Sequence, residues 1–479
     1  MSNIDNWNIP IYKALKEYAA SSPLPFHMPG HKMGKGIPSG FAESMPLFDV
    51  TEIPGTDNLH FPEGPILEAQ KLAAEAFGAE ETFFLVNGST TGIHAMILTI
   101  CNPGDKLIVS RDCHKSVING MMLAGVMPVY IKPHFDSKFG IPTGVLAKEV
   151  EDAIRDNPDA VGVLLTRPNY YGVCADIESI ASVVHAYGKV LAVDEAHGAH
   201  LAFEGSLPKA AMDVGADICV QSAHKTLPAL TQGSYLHVRK DRIDIEKLKF
   251  YLRMLQTSSP SYLIMASLDM ARALMQYEGC RILGRLRQYV ERLRHSVDRM
   301  HGIKMPQITH FGREMAQDWT RVVLNVEGLG CSGFEAERKL RAEYGIQVEM
   351  SDLHNVVCIA TVADREEDFT RLMEALDGMD NQLRQIEAES DIKIKKQPGI
   401  PEMKIPLSQI SRCEKVKVNL KEASGKISLD MLTPYPPGIP VVCPGEVISD
   451  DIVDYLLSIL ESGGTVNGLD GNGRISVVA

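Results

Sequence analysis

The chain has 479 residues, with 48 Lys and Arg against 61 Asp and Glu, giving a formal net charge of −13. Hydrophobic residues make up 45% and charged residues 23%, the composition of a globular protein long enough for several domains. No stretch reaches the ~18 consecutive apolar residues of a membrane helix, the polar start Met1 to Pro10 lacks the pattern of a signal peptide, and dispersed acidic charge does not suit a nucleic acid.

A short amphipathic helix is expected near residues 8–20. The run Pro23 to Lys32 holds three prolines, which remove donors and fix φ, so it reads as a structured loop rather than a helix or central strand. A helix at 66–77 then leads to an apolar strand at 83–86. Gly88-Ser89-Thr90-Thr91-Gly92 opens a helix that runs to Ile100. Strands at 107–109, 129–132, 161–166 and 190–194 alternate with helices at 114–123, 145–156 and 177–187. Strand 218–221 and an antiparallel partner at 233–238 close the series. Short apolar strands alternating with helices indicate an α/β fold with a largely parallel sheet covered on both faces.

After residue 280 the texture changes. A charged, solvent-facing helix is expected at 281–300, then a smaller α/β unit with strands at 321–326 and 356–360. Glu387 to Pro401 reads as a polar linker, and Thr433 to Pro440 as a rigid turn-rich segment. The expected division is 1–60, 61–280, 281–386 and 387–479. The nine cysteines are odd in number and no pair is spaced C-x-x-C, so free thiols of a cytoplasmic protein are expected rather than disulfides or a zinc ribbon.

Polar residues cluster where the strands end. Gly88-Ser89-Thr90 follows one strand, Arg111 to Lys115 the next, and Pro168-Asn169-Tyr170 a third. Asp194 ends a fourth, and Ser222-Ala223-His224-Lys225 follows the last. Loops at the carboxyl ends of parallel strands form the ligand crevice of such a sheet. Each cluster alone is also readable as a turn or cap; their joint position favours a site.

Ser89 and Thr90 at a helix start suit a phosphate, or an ordinary cap. Lys225, between a strand and a polar loop, is the residue type that forms Schiff bases when partly desolvated. Asp194 ends a very apolar run, where a carboxylate needs a cationic partner. His114 offers a planar ring for stacking. Asp194-Glu195-Ala196-His197 also spells a helicase motif, but no Gly-x-x-x-x-Gly-Lys-Ser/Thr accompanies it. His27 with His31, and His197 with His200, lack a third metal ligand at a suggestive spacing.

Together these residues resemble a fold-type-I pyridoxal-phosphate enzyme, and more narrowly the prokaryotic ornithine/lysine/arginine decarboxylase family. The resemblance runs from Pro25 to Glu446. It rests on Pro29-Gly30-His31, Asn87-Gly88-Ser89-Thr90, Arg111-Asp112-Cys113-His114-Lys115-Ser116 and Asp194-Glu195-Ala196-His197-Gly198. Ser222-Ala223-His224-Lys225, the run from Gln256 to Tyr262, Tyr435-Pro436-Pro437-Gly438 and Pro444-Gly445-Glu446 complete it.

The resemblance implies a pyridoxal 5'-phosphate large domain with smaller α/β C-terminal units. It implies that Lys225 holds the cofactor, Asp194 pairs with its pyridine nitrogen, and His114 stacks on one ring face. Ser89, Thr90, Ser222 and His224 grip the phosphate. Ala196 packs on the opposite face, and His197 lies near the phenolic oxygen. Lys225 and His197 are both open as the acid that reprotonates Cα. Thr257 and Ser258 reach the neighbouring subunit's phosphate, which implies a homodimer with shared sites. His31 and Glu446 contact substrate, with Glu446 at its cationic end. No metal, nucleic acid or membrane is implied.

The implied reaction is α-decarboxylation of a basic amino acid: arginine to agmatine and CO2 in polyamine biosynthesis, with lysine or ornithine as alternatives. An aminotransferase or other enzyme of the same fold, or a non-catalytic homologue, are the competing readings. Aminotransferases of this fold hold the α-carboxylate with a C-terminal-domain arginine, and no arginine in the sequence stands out for that task. The family blocks begin by residue 26, which resembles the short form without an N-terminal wing domain.

Overall fold

The computed structural model describes residues 10–307, 315–383, 398–435 and 439–479. A seven-stranded sheet dominates. Its strands are β1 (Glu81–Leu85), β2 (Lys106–Ser110), β3 (Met127–Ile131), β4 (Ala160–Thr166), β5 (Val190–Asp194), β6 (Ile218–Gln221) and β7 (Ser234–Val238). The spatial order is β1-β7-β6-β5-β4-β2-β3. The pairs β6–β5, β5–β4, β4–β2 and β2–β3 are parallel, and only β7 runs against its neighbours, as its sequence suggested.

The residue period of two sorts these strands between two cores. Leu107, Val109, Leu164, Ala192 and Val220 face a core with Ile93, Met96 and Ile97 of helix Gly88–Ile100. Ile108, Val163, Leu165, Leu191, Val193 and Cys219 face the other, with Val150, Ile154, Ile180 and Val184. Both sheet faces are therefore dry, which is why the strands read as continuous apolar runs.

Two expectations need correction. The loop at 23–32 contains a short strand, Leu24–Phe26, parallel to Ile346–Val348 in a two-stranded edge pair that tolerates its proline. The charged helix expected at 281–300 is the second half of one helix, Tyr262–Val297, which runs across the boundary placed at 280. It is not solvent-facing on all sides. Leu283, Leu286, Val290, Leu293 and Val297 recur at three- and four-residue spacing and are buried, while Arg281, Arg285, Arg287 and Arg292 are exposed. The expected helix near the N-terminus is Pro10–Ala20, and it buries no residue.

Strands Arg321–Asn325, Asn355–Ile359 and Met350–Ser351 form a smaller antiparallel sheet. A further unit pairs Lys415–Asn419 with Arg474–Val478 around Leu432, Val442, Leu456 and Ile475. The polar linker lies largely outside the described residues, as does part of the turn-rich segment near Pro437. None of the nine cysteines is disulfide-bonded. Among the described residues no helix is long and apolar enough to cross a membrane.

The N-terminal loop packs directly on the Lys225 loop. Gly30 N donates to the His224 carbonyl at 2.7 Å, and Thr361 Oγ1 donates to the Gly30 carbonyl at 2.8 Å. A Cβ on Gly30 would stand 2.6 Å from the Leu227 carbonyl oxygen, so only glycine fits this approach. Gly30→Ala is expected to destabilise the fold by about 1–3 kcal/mol, the usual range for overpacking. A lowered urea midpoint with unchanged slope would show it.

Candidate functional site

The carboxyl ends of β5 and β6 bring the principal groups together. Asp194 closes β5, where parallel pairing on both sides leaves it only 2% exposed. One of its oxygens accepts from Ala196 N at 3.1 Å. Burial raises its carboxyl pKa, and the charge of Lys225 opposes that rise. Lys225 lies on the short helix Ala223–Thr226, directly after β6. Burial lowers its amine pKa; Asp194 and Glu349 pull it up, and Arg321 adds to the lowering.

His197 is 5% exposed and lies between a lysine and an arginine. Its Nε2 is 3.1 Å from Lys225 Nζ, and its Nδ1 is 2.6 Å from Arg321 Nη2. The Tyr170 ring stands 5.0 Å from it, centroid to centroid. Burial, then Lys225 and Arg321, hold the imidazole well below its ordinary pKa, so it is neutral.

His114 caps the helix Lys115–Ala124, its Nδ1 accepting from Ser116 N at 3.2 Å. Burial and the Lys225 charge push its pKa down to about 3. His224 places Nδ1 3.0 Å from the Gly233 carbonyl, and burial pushes its pKa down to about 4. His31 lies close enough to His224 for their charges to interact, and its Nδ1 accepts from Gly34 N at 2.9 Å.

The loop at Ser89 converges on the same place. Gly88 N donates to the Gln232 carbonyl at 3.0 Å, while His224 N donates to the adjacent Gly233 carbonyl at 3.2 Å. Two loops thus hang on consecutive residues that lead into β7. Ser89 is half-buried and Thr90 exposed at the start of helix Gly88–Ile100. Ser222 is fully buried, and its Oγ has no hydrogen-bond partner among the described residues. A buried orphan hydroxyl beside a reactive lysine is costly unless a ligand oxygen completes it. Phosphate fits that need, and the buried Asp194 fits a protonated ring nitrogen. Lys225, Asp194, Ser222, His224, His114, Ser89 and Thr90 are thus the residues that could hold pyridoxal phosphate.

Three expected residues make no bond to Lys225, Asp194 or His197. Thr257 and Ser258 are exposed, and Thr257 N donates to the chain's own Asn87 Oδ1 at 3.1 Å. Glu446 is fully buried, accepting from Arg111 Nη2 at 2.9 Å and from Cys443 N at 2.6 Å. Arg111 also donates to the Pro440 carbonyl at 2.8 Å, so this pair fastens the C-terminal unit to the end of β2. A cavity of about 390 Å³ lies beside it, lined by Arg111, Asp112, Phe135, Pro142, Ile400 and Pro440.

Sequence reasoning missed Arg321 and Glu349. Arg321 begins the first strand of the smaller sheet and is 1% exposed. Glu349 accepts from Met28 N at 2.9 Å, and its charge reaches Lys225, Arg321 and Lys32. Neither follows a strand-end motif. Among the described residues, no group of three or more His, Cys, Asp or Glu is placed to hold a metal ion.

The sheet order and the lysine between buried carboxylate and imidazole define the fold-type-I class of pyridoxal-phosphate enzymes. An alanine–glyoxylate aminotransferase from Nostoc superimposes with a TM-score of 0.58 at 16% identity, over 74% of this chain and 95% of that one. Residues 9–320 match the Orn/Lys/Arg decarboxylase major domain, and residues 404–472 match the C-terminal domain. An arginine decarboxylase from Bacillus subtilis is 37% identical over 96% of this chain and 95% of its own length. The constitutive lysine decarboxylase of Escherichia coli superimposes with a TM-score of 0.78 at 22% identity, over 99% of this chain and 82% of that one. The chain belongs to the Orn/Lys/Arg decarboxylase family, and it is an enzyme of the decarboxylase type.

Two measurements follow from the geometry. Glu446→Ala leaves Arg111 buried without its carboxylate, so a loss of about 3–5 kcal/mol in urea unfolding is expected. His114 and His224 are neutral when folded and ordinary when unfolded. Below pH 6.5 the unfolded chain gains protons that the folded chain refuses until about pH 4 at His224 and about pH 3 at His114. Their stabilisation is therefore complete above pH 6.5 and lost as pH falls, by up to about 1.4 kcal/mol per pH unit for each histidine. Unfolding midpoints measured from pH 7 to pH 5 in the cofactor-free chain would trace this decline.

Proposed function

We propose that this enzyme uses pyridoxal 5'-phosphate to decarboxylate L-arginine to agmatine and CO2. The observation that carries the reading is Lys225 held between buried Asp194 and neutral His197, beside the orphan hydroxyl of Ser222. When bound, pyridoxal phosphate supplies the electron sink for loss of the α-carboxylate. The rest falls to the chain. Asp194, poorly solvated, favours a cation against it and so keeps a proton on the ring nitrogen. His114 stays neutral at working pH and offers a ring face for stacking, opposite Ala196. Ser89, Thr90, Ser222 and His224 hold the phosphate dianion. Lys225 anchors the cofactor, and Lys225 or His197 returns the proton to Cα.

Arginine is favoured over lysine and ornithine by the full-length similarity to an arginine decarboxylase. His31 and Glu349 stand on the side of the site where the N-terminal loop covers it, and His31 is proposed as a substrate contact. Glu446 is proposed to act on the substrate's cationic end through its remaining oxygen, which has no hydrogen-bond partner among the described residues. We also propose a homodimer with shared sites, in which Thr257 and Ser258 meet the neighbour's phosphate. Ile11, Leu15 and Tyr18 on the helix Pro10–Ala20 are exposed by 77%, 63% and 39%, and Phe250 and Met254 by 54% and 57%. Such apolar exposure suits contact between subunits.

CO2 release with each of arginine, lysine and ornithine tests the reading. The highest kcat/KM is expected for arginine, and Lys225→Ala should lower it on the order of a thousandfold or more. A 2-oxo acid product would point to transamination instead. Light scattering should give at least twice the 52.6 kDa chain mass.

A further inference from the structure

The hydrogen-bond chain at His197 has a direction. A guanidinium has five N–H donors and no acceptor, and it stays charged in proteins. Arg321 Nη2 lies 2.6 Å from His197 Nδ1, so Nδ1 presents a lone pair. A neutral imidazole with a bare Nδ1 carries its proton on Nε2. That Nε2 lies 3.1 Å from Lys225 Nζ, which must then accept. An ammonium has no lone pair to accept with; an amine has one.

We propose that Arg321 is a positioning residue that fixes the proton of His197 on Nε2 and thereby holds Lys225 as a neutral amine.

The reverse arrangement fails on geometry. An ammonium at Lys225 donating to Nε2 would leave the proton on Nδ1, facing a guanidinium N–H at 2.6 Å. An imidazolium would set an N–H donor against the guanidinium N–H and a cation beside a cation. Arg321 has little room to withdraw. It is 1% exposed, and Gly172, at φ +81°, leaves only the space of an absent Cβ, which would stand 2.6 Å from Arg321 Cβ. Among the described residues its Nε and Nη1 have no hydrogen-bond partner, so the bond to His197 orients it.

The surrounding charges agree. Around Lys225, burial and Arg321 favour the neutral amine, while Asp194 and Glu349 oppose it. Around His197, burial and the Arg321 charge disfavour a cation. Arg321 itself is faced by Asp318, Glu349 and the Cys174 thiol.

A neutral amine adds to an aldehyde, whereas an ammonium must first lose a proton. Arg321 thus prepares Lys225 for its cofactor without touching it. The inference goes beyond the proposed reaction and requires nothing about which amino acid is consumed.

The test uses the full-length chain freed of cofactor, labelled with ¹⁵N-histidine and assigned with His197→Asn. Long-range ¹H–¹⁵N spectra should show the Nε2–H tautomer at His197. Arg321→Gln keeps an N–H donor without the charge and should keep that tautomer; Arg321→Met should lose the bias. Competitive acetylation read by mass spectrometry should place the Lys225 midpoint below that of free lysine. In Arg321→Met its reactivity at neutral pH should fall roughly tenfold, the effect of one pKa unit. An Nδ1–H tautomer in the unsubstituted chain overturns the proposal, and so does Arg321→Met with both readouts unchanged. If Arg321→Met does not fold, the tautomer of the unsubstituted chain still decides. A chain with the Nε2 proton that decarboxylates no basic amino acid overturns the proposed reaction and supports the tautomer assignment.

Discussion

The site is organised around a cation kept out of water. Arg321 belongs to the smaller sheet, yet its guanidinium ends against an imidazole of the larger one. Taking such a group out of solvent costs several kcal/mol even after relaxation. One bond to an imidazole and the charges of nearby carboxylates meet that cost, rather than one close ion pair. Asp318 and Glu349 supply the field, and His197 supplies the lone pair. Because the donor and its acceptor belong to different sheets, the two units are registered against each other at the site itself.

The larger sheet contributes the opposite sign. Parallel pairing on both sides carries β5 through a dry interior and ends it on Asp194. The next strand in space, β6, delivers Ser222 and Lys225 at the same edge. A carboxylate, an amine and a guanidinium therefore share one poorly solvated volume with neutral histidines between them. In low dielectric, fixed charges of this kind act more strongly than in water, and they need no rearrangement when a cofactor's charges arrive.

Much of this could be read from the residues. Apolar runs ending in polar clusters marked the strands, and the joint position of Ser89, His114, Asp194 and Lys225 marked the crevice. That worked because both faces of a parallel sheet are buried, so its strands are unusually distinct in sequence. Arg321 was invisible for the converse reason. It sits in a strand whose neighbours are ordinary apolar residues, and an arginine there reads as an edge or solvent-facing position. Only the approach of His197 over a sequence distance of 124 residues gives it meaning. Glu349 was hidden in the same way. The helix Tyr262–Val297 was divided at 280 because its charge increases there, although the apolar stripe continues through Leu283 and Leu286 without a break.

The N-terminal loop carries a consequence for synthesis. Its strand Leu24–Phe26 pairs with Ile346–Val348, and Met28 N bonds to a carboxylate 321 residues later. Contacts of such separation are made late, after loop-closure entropy has been met by other structure. During translation the earliest segment therefore waits, unpaired, while the large sheet is made and folded behind it. The roof over the lysine loop is fastened by its strand pair and by Glu349 and Thr361 only when residues beyond Gly345 have left the ribosome. Until then the crevice lies open, and a nascent chain has a stage at which its reactive amine is formed but not yet enclosed.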